Sequence, residues 1–207
     1  MLSIKVSYFS NIINSFKMKL NKNLFQGKIE VICGSMFSGK TEELIKRIIE
    51  AKLNGMKFIV FKPTKDSRNP YEKIMSHSKT ELNAKSIESS HEILSKSLNF
   101  DVIGIDEAQF FDMNLVDVCN SIANQGKRII VSGLDMDYSG KPFGPMPYLM
   151  ACAEEITKLH AICNETGNIA NYSYRKKQNN QQFLIGEKNE YEALSRIAFI
   201  DKMKKRK

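Results

Sequence analysis

The chain of 207 residues has no tryptophan, only five prolines and only four cysteines. Cys33, Cys119, Cys152 and Cys163 stand far apart, which excludes a disulfide framework and favours a reducing cytoplasm. Cys33 and Cys119 sit in apolar contexts where a buried free thiol is expected. No apolar run approaches the roughly 20 residues of a helical membrane span, so a spanning helix and a membrane partner are not expected. Repeats and low-complexity stretches are missing too, which excludes solenoids and fibrous folds. Acid is missing locally. Residues 1–26 contain lysines but neither Asp nor Glu, and also lack the arginines and small-residue cleavage site of a targeting segment. They read as a flexible basic extension, and 201–207, "DKMKKRK", as a solvated basic tail.

What is present begins at Gly27. Hydrophobic residues make up 42% and charged residues 26%, enough for a soluble domain with a real core. The net charge of +8 suggests an anionic partner, nucleotide or nucleic acid, although several cations lie near the chain ends. "KIEVICG" is a short apolar run ending in glycine, the pattern of a buried strand. "KTEELIKRIIEAKLNG" puts Leu44, Ile45, Ile48 and Ile49 on one helical face, with Glu42 and Glu43 in the first turn and Asn54-Gly55 as the stop. Further strands are expected in "KFIVFKP", "DVIGID", "KRIIVSGLD" and "EITKLHAIC". Helices are expected near His91–Lys96 and over "NLVDVCNSIANQG". Residues 64–100 otherwise look polar and irregular. Alternating strand and helix imply an α/β fold with a parallel central sheet flanked by helices over 27–162. Past Cys163 the periodicity fades, so a small loop-rich subdomain is expected over 163–200.

Two motifs carry chemistry. "GSMFSGKT" (Gly34, Ser35, Met36, Phe37, Ser38, Gly39, Lys40, Thr41) satisfies G-x-x-x-x-G-K-[ST] between a strand and a helix. Its glycines let N–H groups turn toward phosphate oxygens, Lys40 supplies a point charge, and Thr41 offers a hydroxyl to Mg²⁺. "DVIGIDEAQFF" brings Asp106 to the end of a strand beside that loop, where a carboxylate can hold Mg²⁺. Glu107 follows, placed to take a proton from an attacking hydroxyl. A phosphate-transfer enzyme follows from these residues. Whether water or a nucleoside accepts the phosphate does not, because ATPases also carry an Asp-Glu pair after a strand.

The order of "GSMFSGKTEELIKR", "FKP", "DSR", "SH", "IDEAQFF", "GLDMDYSGKPFGPM" and "FLIGEKNEYEA" resembles the type II thymidine kinases, from about Gly27 to about Arg196. The resemblance implies a P-loop kinase domain and a lasso loop that closes over the nucleoside. It also implies transfer of the ATP γ-phosphate to the 5′-hydroxyl of thymidine or deoxyuridine, Mg²⁺ with ATP, a homotetramer, and no direct nucleic-acid partner. Carried across, Glu107 is the general base, Arg68 offsets charge on the transferring phosphate, and Thr41 with Asp106 holds magnesium, assisted by Asp66. Ala108 and Gln109 belong to the same ATP-binding segment. Met36, Phe110, Leu134, Tyr138 and Phe143 line the base pocket, while Leu184, Ile185, Gly186 and Tyr191 read the nucleoside from the lasso. His77 matches the histidine of a Ser-His motif, although Lys79 stands where glycine is usual. Phe61 and Phe111 are expected in the core.

One departure stands out. The family's lasso is anchored by two Cys-x-x-Cys pairs, and only Cys163 remains, with Thr166, Ser195 and Ala198 at the other three positions. One thiolate cannot close a tetrahedral zinc site, so no structural zinc is expected, and packing and hydrogen bonds are expected to fill the space. Two other readings are open: a nucleic-acid-dependent P-loop ATPase, and a nucleotide-binding protein without kinase activity. The first needs further motor motifs and a second motor domain that this sequence does not hold. Against the second stand Lys40, Thr41, Asp106, Glu107 and Arg68.

Overall fold

The computed structural model describes residues 27–66, 72–75, 80–176 and 190–206. β1 (Lys28–Gly34) is buried along its whole length after Lys28. Its alternation sends Ile29, Val31 and Cys33 into one hydrophobic cluster and Ile32 into another. α1 (Lys40–Leu53) follows, burying Leu44, Ile45, Ile48 and Ala51 and ending where Gly55 takes φ 77°. β2 (Phe58–Pro63) comes next, then a hairpin of β3 (Lys73–Met75) and β4 (Glu81–Asn83). After β5 (Lys85–Ile87) and α2 (His91–Lys96), β6 (Val102–Ile105) leads through a 3₁₀ turn, Ala108–Phe110, to α3 (Leu115–Ala123). β7 (Arg128–Gly133), α4 (Met146–Cys152) and β8 (Glu155–Leu159) complete the main layer.

Six of these strands form one parallel sheet in the order β5-β2-β6-β7-β1-β8. Parallel strands need crossovers, and the crossovers cover both faces. One face carries Leu44, Ile45, Ile48 and Ala51 of α1. The other carries Leu115, Val118, Cys119 and Ile122 of α3 with Met146 and Leu149 of α4. Each fully buried aliphatic contributes about 1.5–3 kcal/mol relative to an exposed one, so these two clusters supply the main drive to fold. Phe61 and Phe111 lie in the core, and the Cys33 and Cys119 thiols are buried and free, all as expected.

Several elements are not visible in the sequence, among them the β3–β4 hairpin, β5 and α4. β5 lies inside the polar 64–100 stretch, yet pairs in parallel with Phe61–Pro63 and widens the sheet. α4 has only seven residues and starts after Pro145, too short for periodicity to reveal. Beyond β8 the chain forms two small antiparallel pairs. β9 (Ala161–Ile162) pairs with β10 (Ile169–Ala170), and β11 (Tyr172–Arg175) with β12 (Tyr191–Leu194). The chain then enters α5 (Arg196–Lys204), so the expected division between lasso and tail at 200/201 falls inside a helix. Its Phe199 is buried against Tyr172, which is why the helix persists into the basic end.

A buried carboxylate ties α1 to the sheet. Glu30 of β1 accepts from Arg47 of α1 at 2.8 Å and from Arg128 of β7 at 2.6 and 3.0 Å, and Lys28 Nζ stands 2.7 Å away. Arg47 also reaches Glu43, Glu155 and Thr157. Burial alone would push the Glu30 pKa up, but the bonds from Arg128, Lys28 and Arg47 win and lower it from 4.5 to about 2. Its stabilisation is therefore complete above pH 4.5 and drains away as pH falls toward 2. Glu30→Gln should cost about 3 kcal/mol at neutral pH, because the arginines lose their buried partner. In denaturant titrations the gap to the wild type should narrow between pH 4.5 and pH 2.

Candidate functional site

β1 ends at Gly34, whose φ of 145° and close neighbour restrict it to glycine: a Cβ there would lie 2.1 Å from the Leu159 carbonyl oxygen. The loop then turns through Phe37 at φ 64° and Gly39 at φ 85° into α1. Ser38 Oγ and Lys40 Nζ each donate to the Ser35 carbonyl at 2.8 Å, which closes the loop on itself. Residues 34–41 thus form a phosphate-loop turn at the carboxyl edge of the sheet, with a helix N-terminus behind it.

Asp106 follows β6 on the same edge and is 4% exposed. The Thr41 hydroxyl donates to it at 3.1 Å, so the two expected magnesium ligands meet. Glu107 adopts φ 50° and ψ 41°, a left-handed conformation that costs a non-glycine residue about 1–2 kcal/mol. The turn that follows explains how it is held. Gln109 donates its amide to Glu107 Oε2 at 2.5 Å and accepts the Leu134 N–H on its own oxygen at 2.9 Å. Gln109 therefore orients the Glu107 carboxylate and links it to the end of β7. The Ala108 side chain packs into the core cluster.

The loop after β7 carries three of the expected base-lining residues, Leu134, Tyr138 and Phe143. Asp137 accepts from Ser139 N–H, Ser139 Oγ and Lys141 N–H, an Asx-type turn that shapes it. Phe143 meets Phe110 edge-on, with ring centroids 5.7 Å apart. Tyr138 lies under the Arg175 guanidinium at 3.8 Å, and Tyr191 lies 5.8 Å from the same group. Arg175 is 1% exposed, and the sequence pattern does not single it out. Asp135, equally inconspicuous in the sequence, pairs with Lys158 of β8 at 2.7 Å. Asp66 sits just past the end of β2, its N–H donating to Pro63. Arg68, His77, Leu184, Ile185 and Gly186 lie outside the described residues.

At the base of the lasso, Cys163, Thr166, Ser195 and Ala198 come together. Thr166 Oγ1 donates to Ser195 Oγ at 3.1 Å, Ala198 is 5% exposed and Cys163 1%. A knuckle-like turn survives, with Gly167 N–H on the Cys163 carbonyl and Cys163 N–H on Asn168, both at 2.8 Å. Burial raises the Cys163 pKa, but hydrogen bonds from Thr166 and Ser195 outweigh it and lower it to about 7. A hydroxyl proton serves one acceptor at a time, so ionisation of the sulfur would draw the Thr166 proton away from Ser195. Around this cluster α5 acts as a strap. Phe199 stacks on Tyr172 at 4.4 Å, Lys202 bridges Glu165 and Glu192, and Arg206 lies 4.1 Å over Tyr174. His160 pairs with Asn171. No group of three or more His, Cys, Asp or Glu able to hold a metal occurs among the described residues. Phe37 packs against the hydrophobic cluster of this base, and a cavity of about 390 Å³ beside it is lined by Phe37, Ile162, Asn164, Lys176, Tyr191 and Glu192.

A glycine-bounded phosphate loop, its lysine and an acidic pair at the carboxyl edge of a parallel sheet define the class of P-loop nucleotide-binding proteins. Residues 27–199 match the family model for thymidine kinase. The chain is 51% identical over 175 residues to a protein named thymidine kinase from Bacteroides thetaiotaomicron, covering 84% of this chain and 88% of that one. It is 52% identical over 174 residues to one from Bacteroides fragilis, covering 84% and 87%, and 49% identical to one from Porphyromonas gingivalis, covering 84% and 85%. The chain belongs to the thymidine kinase family. Among solved structures, that of a DNA replication initiation factor overlaps it distantly, at 16% identity and a TM-score of 0.40 over 70% of this chain and 46% of that one.

The hydroxyl cluster predicts a measurable titration. Thr166→Val should return the Cys163 thiol toward its ordinary value of 9, read by thiolate absorbance against a Cys163→Ser reference. Because the folded pKa is lowered, the stability advantage of the wild type over Thr166→Val should grow as pH rises from about 7 to 9.

Proposed function

We infer that this chain is an ATP-dependent thymidine kinase that transfers the γ-phosphate of ATP to the 5′-hydroxyl of thymidine or deoxyuridine. The observation that carries the reading is the meeting of Thr41, Asp106 and Glu107 at the phosphate loop of a chain of this family. Glu107 takes the proton of the 5′-hydroxyl as its oxygen bonds to the γ-phosphorus, and ADP leaves with the bond it breaks. Gln109 holds that carboxylate in register, and Lys40 offsets charge on the phosphates. Thr41 and Asp106 would hold the magnesium that accompanies ATP, which when bound would neutralise charge on the phosphate oxygens. Arg68 supplies further positive charge. The base lies among Met36, Phe110, Leu134, Tyr138 and Phe143, and Leu184, Ile185 and Gly186 close over it with Tyr191 at the sugar. The protein acts in the cytoplasm as a homotetramer.

The lasso base works without zinc. Cys163 offers one thiolate, its companions Thr166 and Ser195 are neutral hydroxyls, and Ala198 offers no ligand, a donor set that does not suit Zn²⁺. The α5 strap and the hydroxyl cluster take over the anchoring.

Incubation with ATP, Mg²⁺ and thymidine should yield thymidine monophosphate and ADP in equal amounts. Glu107→Gln should lower that rate by about 10²–10⁴ while ATP still binds. ATP hydrolysis stimulated by DNA, without thymidine monophosphate, would instead support a nucleic-acid-dependent ATPase.

A further inference from the structure

The two faces of β11 act differently. Tyr172 and Tyr174 turn toward Phe199 of α5. Ser173 and Arg175, one residue out of phase, turn the other way. There Ser173 Oγ accepts the N–H of Met36 at 2.9 Å. One strand away, the Ala170 carbonyl accepts the Ser35 hydroxyl at 3.1 Å. Ser35, Ser173 and Ala170 are 2%, 3% and 0% exposed, so the Ser35–Ala170 bond is shielded from water and the Met36–Ser173 bond is partly so. They join consecutive residues of the phosphate loop to strands more than 130 positions further along the chain.

A phosphate loop binds through the direction of its N–H groups, and direction is set by the peptides that are pinned. Ser35 already carries much of that load. Its carbonyl receives Ser38 and Lys40, and its hydroxyl is fixed by Ala170. The peptide N–H of Met36 has no helix or strand partner and is satisfied by Ser173. Without that acceptor a partly buried N–H loses its partner, and the turn that leads into Phe37 at φ 64° loses its fixed start.

We propose that Ser173 is a positioning residue for ATP: its hydroxyl, presented by the lasso base, holds the Met36 peptide so that the phosphate loop keeps its binding shape. The lasso base thereby serves the phosphate end of the reaction as well as the nucleoside end, where Arg175 on the same face lies over Tyr138. The inference rests on the kinase reading only in taking ATP–Mg²⁺ as the ligand.

The test is calorimetric binding of ATP–Mg²⁺ to the full chain, compared among wild type, Ser173→Ala and Ser173→Thr, with unfolding temperatures measured alongside. Ser173→Ala should weaken ATP about fivefold or more, at an unfolding temperature within about 2 °C of wild type. Ser173→Thr, which restores the acceptor, should regain wild-type affinity. Unchanged affinity in Ser173→Ala would overturn the proposal, as would an equal loss in both variants. Should Ser173→Ala fold poorly, Ser173→Cys carries the same test, since it keeps the shape and accepts only weakly. A wild-type chain that binds ATP yet makes no thymidine monophosphate would remove the kinase reading and leave this one standing.

Discussion

The site depends on how closely β1 approaches β8. At Gly34 there is no room for a side chain, because the Leu159 carbonyl stands where a Cβ would be. From Gly34 the chain runs into the phosphate loop, and from Leu159 into the lasso base. Two segments distant in sequence therefore leave adjacent strands side by side, and their contacts follow from that origin: Ser35 with Ala170 and Met36 with Ser173. The parallel register of β1, β7 and β6 does the same for the acidic pair, since it brings Asp106 level with Thr41. The Glu30 knot holds α1 and its helix N-terminus against that sheet.

The lasso base shows how contacts between side chains can anchor neighbouring strand pairs. Four tetrahedral bonds would fix the ends of two hairpins through one atom. Here many weaker contacts do so together. Tyr172 stacks on Phe199, Lys202 bridges Glu165 and Glu192, and the Thr166–Ser195 hydroxyl pair lies beside Cys163. Aromatic pairs add about 0.5–1.5 kcal/mol beyond their buried area, and buried apolar groups such as Phe199 and Ala198 add more. Distributed contacts of this kind also extend the base into a helix, α5, that covers it.

Much of this was legible in the sequence because it obeys local rules. The phosphate loop needs Gly34, Gly39, Lys40 and Thr41 at fixed spacing, and the apolar run before Asp106 marks a buried strand. The loss of three zinc-position cysteines could be counted, and their replacements do lie together. What escaped was set by tertiary contact. β5 is polar and short, and becomes a strand only by pairing with β2. The sequence places Gln109 in the ATP-binding segment but gives no sign that its two amide ends bridge Glu107 and Leu134. Nothing local distinguishes Ser173 or Arg175 from an ordinary lasso polar residue, because their roles lie on strands and loops elsewhere in the chain. Only the part of α5 from Asp201 onward reads as tail, and the helix runs into it once Phe199 packs on Tyr172.

A thymidine kinase whose lasso is held by side chains instead of metal should not need zinc to work. Thymidine phosphorylation can be followed with protein of known zinc content, before and after exhaustive chelation, with magnesium restored in each assay. Protein essentially free of zinc as purified, and the same rate on both sides of chelation, is the expected outcome. Stoichiometric zinc whose removal abolishes the rate would mean that the lasso is clasped by metal after all.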